Sequence, residues 1–174
     1  MPSGRKRTLA LALVAAAFLV SAPLPAAEGE LRAGASAGVG VLSGHGAGPA
    51  AEAFGAYGLS DLFDAIVELH DSFHGANGSA DVLSASAGLA VKLDVLEWVP
   101  HAALLGGYYY YAGSPASHGE HGSEPGASAQ IGLDYLLSRE LSVGVDARAH
   151  ASFTDGIHLP LFTATIGAAY RWGF

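Results

Sequence analysis

The chain has 174 residues, enough for one domain, with 24 glycines, only 14% charged residues and no cysteine. Without cysteine it can form no disulfide, thiolate metal site, Cys nucleophile or Cys-linked lipid anchor. Sixteen acids against eight Lys and Arg argue against nucleic acid binding, which needs clustered bases to neutralise phosphates.

The first element is an export signal. Arg5, Lys6 and Arg7 form a positive start, Thr8 to Val20 an apolar run, and "SAPLPAA" a stretch of small residues ending at Ala27. This pattern predicts a signal peptide over 1–27, with cleavage after Ala27. All sixteen acids lie beyond it, but only five bases do (Arg32, Lys92, Arg139, Arg148, Arg171), which leaves the remainder at a formal charge of −11. No apolar run in 28–174 reaches 18 residues, so no transmembrane helix is expected there.

Period two dominates from there to the end. The spacing predicts eight strands, at about 30–41, 50–58, 62–73, 80–93, 97–111, 126–137, 140–153 and 159–174. Leu141 to Phe153, "LSVGVDARAHASF", is the clearest. Its odd positions are all apolar and its even positions all polar or small. Leu83 to Leu93 and Ala127 to Leu137 alternate in the same way. The connections alternate too. "SGHGAGP", "HGANGS", "AGSPASHGEHGSEP" and "TDGIH" are rich in Gly, His and Ser, whereas "LSD", "DVLE" and "SRE" are tight.

Long loops at one end and short turns at the other predict an all-β domain over 28–174. Its form is an eight-stranded antiparallel up-and-down transmembrane barrel, loops outside the cell and both termini in the periplasm. The polar faces are too sparsely charged to meet water, and the Ala, Val and Leu faces suit lipid. A closed ring also leaves no unpaired edge, which lipid demands. Phe63 and Phe73, Trp98 and Tyr108, and Phe162 and Trp172 each stand ten residues apart on the outward faces. Ten tilted residues climb roughly 25 Å, the height between two aromatic girdles. Tyr108 and Tyr110 should point outward and Tyr109 and Tyr111 inward. The segment Ala112 to Pro125 should be the longest extracellular loop.

The inward set is then Arg32, Glu52, Asp64, Glu68, His70, Lys92, Asp134, Asp146, Arg148, His150 and Arg171. Charges in so narrow a lumen must be paired. Asp64 and Lys92, at similar depth on neighbouring strands, are expected to meet. Gly34, Ser36, Gly38, Ser84, Ser86 and Gly88 also face inward and leave room for water.

The chain ends "IGAAYRWGF", with Tyr170, Trp172 and Phe174 on one face. In this it resembles small eight-stranded outer membrane proteins of the OmpA/OmpX type. The resemblance covers 28–174 as architecture and the C-terminal motif as sequence. It implies a Gram-negative outer membrane protein, exported and monomeric, in contact with outer membrane lipids and lipopolysaccharide. It further implies recognition by barrel-insertion machinery through Tyr170, Trp172 and Phe174. The peptidoglycan-binding domain of larger members is not expected here.

"RAHAS" puts His150 and Ser152 on one strand face, the minimum for an activated hydroxyl. It is similar to the R-x-H-x-S run of outer membrane lipid A deacylases. Phe153 stands where that family has Asn, however, and the acid would have to be Asp155, or be lost to His158. His45, His74, His118, His121 and His158 fall in the long connections, with Glu120 between two of them. Such groups suit Zn²⁺, Cu²⁺ or Ni²⁺, although no fixed ligand spacing is present. The expected role is therefore structural or surface-interacting, without catalysis or cofactor. A narrow water, ion or metal-responsive barrel is the first alternative, and a hydrolase using His150 and Ser152 the second.

Overall fold

A strand places successive side chains on opposite faces, so these segments can satisfy one apolar and one polar surface only by separating them. In the computed structural model they do so as a closed barrel. The structure describes residues 29–75, 80–93, 97–113, 121–153 and 158–172. The strands are β1 (Leu31–Leu42), β2 (Gly46–Gly58), β3 (Phe63–His74), β4 (Ala80–Lys92), β5 (Trp98–Gly113), β6 (His121–Leu136), β7 (Leu141–Ser152) and β8 (His158–Trp172). Each pairs antiparallel with its neighbours in sequence, and β1 closes on β8 from Leu31↔Trp172 to Leu42↔Leu161. The signal segment 1–27 and Phe174 lie outside the described residues.

The faces sort as the alternation predicts. Outward Leu104 is 71% exposed and outward Ile131 67%, whereas inward Arg148 is 4% exposed. This inverts the distribution of a soluble protein. Outward aromatics form two belts. Tyr57, Phe63, Trp98, Tyr135, Tyr170 and Trp172 lie at the turn end, and Phe73, Tyr108, Tyr110, Phe153 and Phe162 at the loop end. At the turn end the Tyr135 hydroxyl donates to Glu97 (3.3 Å) and that of Tyr170 to Glu140 (3.0 Å). The rings of Trp98 and Tyr135, and of Tyr170 and Trp172, have centroids 4.8 Å apart.

At three places at the loop end the structure departs from the expectations or adds to them. The first is the connection at 112–125. The β5–β6 ladder continues through Tyr108↔Pro125, Tyr111↔Gly122 and Ala112↔His121, so residues 112–113 and 121–125 of that segment are strand. Gly, Ser and Pro resemble a loop in composition, but the ladder is built from backbone groups that every residue except Pro can supply. The second is "SGHGAGP", which contracts to a tight turn. The His45 amide donates to the Leu42 carbonyl at 3.0 Å, and Gly44 and Gly46 take φ of 81° and 82°. Only glycine adopts that backbone without penalty, which lets β2 begin at Gly46. The third is a register shift between β7 and β8 at His150 and Ser152. One extra residue of β8 is accommodated beside Pro160, which has no N–H to give the ladder.

Inward glycines have a separate role. His101 pairs with Gly132 and Asp134 with Gly144, and a Cβ at either glycine would collide with its partner's side chain. At Gly34 a Cβ would strike the Phe54 ring. In an eight-stranded lumen a bulky side chain can lie flat only over a residue that has none. Gly132→Val should therefore displace His101 from Asp146 and destabilise the barrel by about 1–3 kcal/mol. Urea unfolding of the refolded variant would register this as a lower midpoint with an unchanged slope.

Candidate functional site

Every inward residue named from the sequence does face the lumen, where the ionisable groups sort into layers along the barrel axis. Nearest the turns, Lys92 Nζ lies 3.1 Å from Asp64 Oδ1, which is the expected pair. Asp64 on β3 and Lys92 on β4 are diagonal neighbours, since Asp64 faces Ala90. Arg32 bridges Asp64 (3.5 Å) and Asp134 (3.1 Å), and its guanidinium sits 5.6 Å from the Phe54 ring centre. Arg171 reaches Glu30 at 3.6 Å, just ahead of β1.

One layer up, His101 Nε2 donates to Asp146 Oδ1 at 2.8 Å, and its Nδ1 lies 3.8 Å from Asp134. The sequence reading did not name His101. The signal was available, because Trp98 and Tyr108 facing outward place odd-numbered β5 residues inward. A cavity of about 30 Å³ lies here, lined among others by Arg32, Ser36, Glu68, His101 and Asp146.

The middle of the lumen is held by Arg148. Its guanidinium contacts Glu68, lies 3.2 Å from Glu52, and donates to the Gln130 carbonyl oxygen at 2.6 Å. Gln130 in turn donates its amide to Asp146 at 2.5 Å. Gln130 thus uses its donor and its acceptor to join two charged groups, a role also missed from the sequence. Above Arg148 stand two buried imidazoles, His70 and His150, with ring centroids 5.0 Å apart. His150 Nδ1 shares a hydrogen bond with the Tyr109 hydroxyl (3.2 Å), and its Nε2 another with Thr163 (3.4 Å). His70 Nδ1 lies 4.0 Å from Glu52. An apolar layer of Leu42, Ala80, Val82, Tyr109 and Leu161 then fills the loop end, with Tyr111 packed against it. Tyr109 and Tyr111 do point inward, and Tyr108 and Tyr110 outward.

Two expected groupings change. His150 and Ser152 share the lumen face, but the His150 nitrogens are taken by Tyr109 and Thr163, and Ser152 lies against the Tyr111 hydroxyl. The loop histidines do not form one exposed set. His74 ends β3 and is fully buried. Its Nδ1 donates to the Gly46 carbonyl at 3.0 Å, and its Nε2 accepts from the Ser72 hydroxyl at 3.1 Å. His45 is buried in the β1–β2 turn, His121 opens β6 and His158 opens β8. His118, Glu120 and Asp155 lie outside the described residues. Among the described residues no three His, Asp or Glu side chains converge as metal ligands would.

No family model matches the chain, and no curated protein matches it. Solved structures do. Neisserial surface protein A superposes at a TM-score of 0.63, with 11% identity, over 87% of this chain and 100% of that one. The outer membrane protein OprG of Pseudomonas aeruginosa gives 0.58 at 11% identity, covering 88% and 100%. Ail, the attachment invasion locus protein of Yersinia pestis, gives 0.55 at 17% identity, covering 84% and 99%. A second Ail structure holds the heparin analogue sucrose octasulfate and gives 0.53 at 18% identity, covering 83% and 99%. At these identities the likeness is one of fold. The chain has the closed eight-stranded antiparallel architecture of small outer membrane barrels.

Proposed function

We propose that this chain is an integral outer membrane barrel with a structural or surface-interaction role and no catalysis. The observation that supports it best is the inverted surface: an apolar band between two aromatic belts outside, and paired charges inside. In this reading 1–27 directs export, the Gly- and His-rich connections face outside the cell, and the tight turns and termini face the periplasm. Outer membrane lipids and lipopolysaccharide cover the band, and insertion machinery reads Tyr170, Trp172 and Phe174. The barrel acts as a monomer, with no metal or nucleic acid partner. Enclosure of His150 and Ser152 in the lumen favours a role inside the barrel for them over hydrolysis of a lipid outside.

The five bases beyond residue 27 all lie at the turn end or in the lumen. The loop end carries carboxylates and histidines instead, so a polyanion such as the one bound to Ail finds no counter-charge here. The test of the reading is reconstitution. Refolded into lipid vesicles, the protein should migrate faster unheated than boiled, and bromine-labelled acyl chains should quench Trp98 and Trp172. Fluorescence indifferent to the bromolipid, in a protein with the same strand content, would refute a membrane-spanning role.

A further inference from the structure

We propose that the lumen carries protons, and excludes hydrated ions, between the two ends of the barrel. The inference rests on the membrane-spanning reading above and adds an activity to it.

The route begins under the loops. Glu124 lies within electrostatic reach of Tyr111, whose hydroxyl meets Ser152. Two residues deeper on β5, the Tyr109 hydroxyl bonds His150 Nδ1 at 3.2 Å. His150 faces His70, ring centres 5.0 Å apart, and His70 Nδ1 lies 4.0 Å from Glu52. Glu52 lies near Ser36, and Ser36 lines the 30 Å³ cavity shared with His101 and Asp146. A cavity of that volume can hold a water bridging polar groups. From there His101 Nε2 is 2.8 Å from Asp146 and Nδ1 is 3.8 Å from Asp134, a buried residue of the layer nearest the turns.

Two of the long steps fall at His70, the others being those from Tyr111 to Tyr109 and from His101 to Asp134. His70 is 1% exposed, and among the described residues neither of its ring nitrogens has a hydrogen-bond partner. A buried polar side chain with both nitrogens unsatisfied is costly if its only task is packing. Turning about its side-chain bonds, this imidazole can face His150 and Glu52 in alternation. Each transfer breaks one O–H or N–H bond and forms another. An imidazole that gains a proton on one nitrogen releases the proton of the other, and for His150 that nitrogen is Nε2, which must first turn from Thr163 toward His70. One proton enters at one end, one leaves at the other, and no electrons move. Hydroxyl rotation and turning of the rings restore the starting arrangement.

Ions have no such path. Leu42, Val82, Tyr109 and Leu161 close the loop end, and Arg148, clamped between Glu52, Glu68 and Gln130, fills the middle. A hydrated ion would have to displace both layers, whereas a proton needs only the chain of groups along the β5–β7 wall and across to β3 and β2.

The test uses the full chain in phosphatidylcholine–phosphatidylglycerol vesicles, with a pH-sensitive dye inside and a potassium-valinomycin potential driving protons. Insertion is first verified by the faster migration of unheated protein, so failure of the membrane reading shows itself separately and removes this proposal with it. Wild-type vesicles should acidify well above protein-free ones and should not swell in KCl. His70→Phe and Tyr109→Phe keep an aromatic ring and remove the exchangeable proton. Each should cut the flux by about 100-fold, the scale on which a positioned proton-transfer group acts. Wild-type flux equal to that of protein-free vesicles overturns the proposal, as does unchanged flux in inserted His70→Phe. Swelling in KCl would instead mark an open water-filled pore and overturn it too.

Discussion

Arg148→Leu should be the most damaging single substitution in the lumen. Arg148 holds two buried carboxylates, Glu52 and Glu68, and the Gln130 carbonyl oxygen. Leucine fills part of the space but leaves both carboxylates without a counter-charge. Removing one partner of a buried ion pair costs about 3–5 kcal/mol. Urea unfolding in vesicles should show a loss of that order. Lys92→Met provides the contrast, because Asp64 keeps Arg32 at 3.5 Å when Lys92 is gone. The loss there should be visibly smaller. Arg148→Lys should fall between the two, since an ammonium keeps the charge and loses the planar fork that reaches Glu52, Glu68 and Gln130 together. Equal losses for Arg148→Leu and Lys92→Met would show that the lumen network is not organised around Arg148.

The second large effect is expected outside the barrel. Leu104 is 71% exposed and sits midway between Trp98 and Tyr108 on β5. In water, replacing so exposed a leucine by arginine would be nearly neutral. In a bilayer, Leu104→Arg places a cation at the midplane and should cost about 2–4 kcal/mol, against about 0–1 kcal/mol for Tyr110→Arg at the loop-end belt. The gradient between the two positions is the measurement that matters. Equal unfolding midpoints for the two variants would count against the apolar band as a lipid contact.

The sequence was most informative where the governing physics is local. Alternation of side chains is a property of a single strand, so "LSVGVDARAHASF" alone assigns Arg148 and His150 to one face and Val145 and Ala149 to the other. Paired aromatics ten residues apart set the height of the band for the same reason. The Asp64–Lys92 contact was legible because β3 and β4 are consecutive, and a hairpin brings its own residues to equal depth. His101 was equally legible from the outward Trp98 and Tyr108.

Composition misled where it stood in for backbone. "HGSEP" has the residues of a loop, yet Gly122 and Glu124 pair with Tyr111 and Tyr109 as strand. His74 sits in a Gly- and Asn-rich stretch and is nonetheless the buried last residue of β3. A ladder takes whatever backbone is in register, so its end is set by where the neighbouring strand also stops.

By itself, then, the sequence determined the eight strands, their two faces, and the placement of apolar residues outside and charges inside. All of these follow from the two-residue period and from short-range pairing. The tertiary structure alone decided which charges meet. Arg148 finds Glu52 and Glu68 from across the lumen, and Tyr109, His150 and Thr163 come from three strands. Those encounters depend on the stagger accumulated around the closed ring, to which every strand pair and the β7–β8 register shift contribute. No local stretch of chain carries that sum, which is why the lumen had to be seen closed before its network could be read.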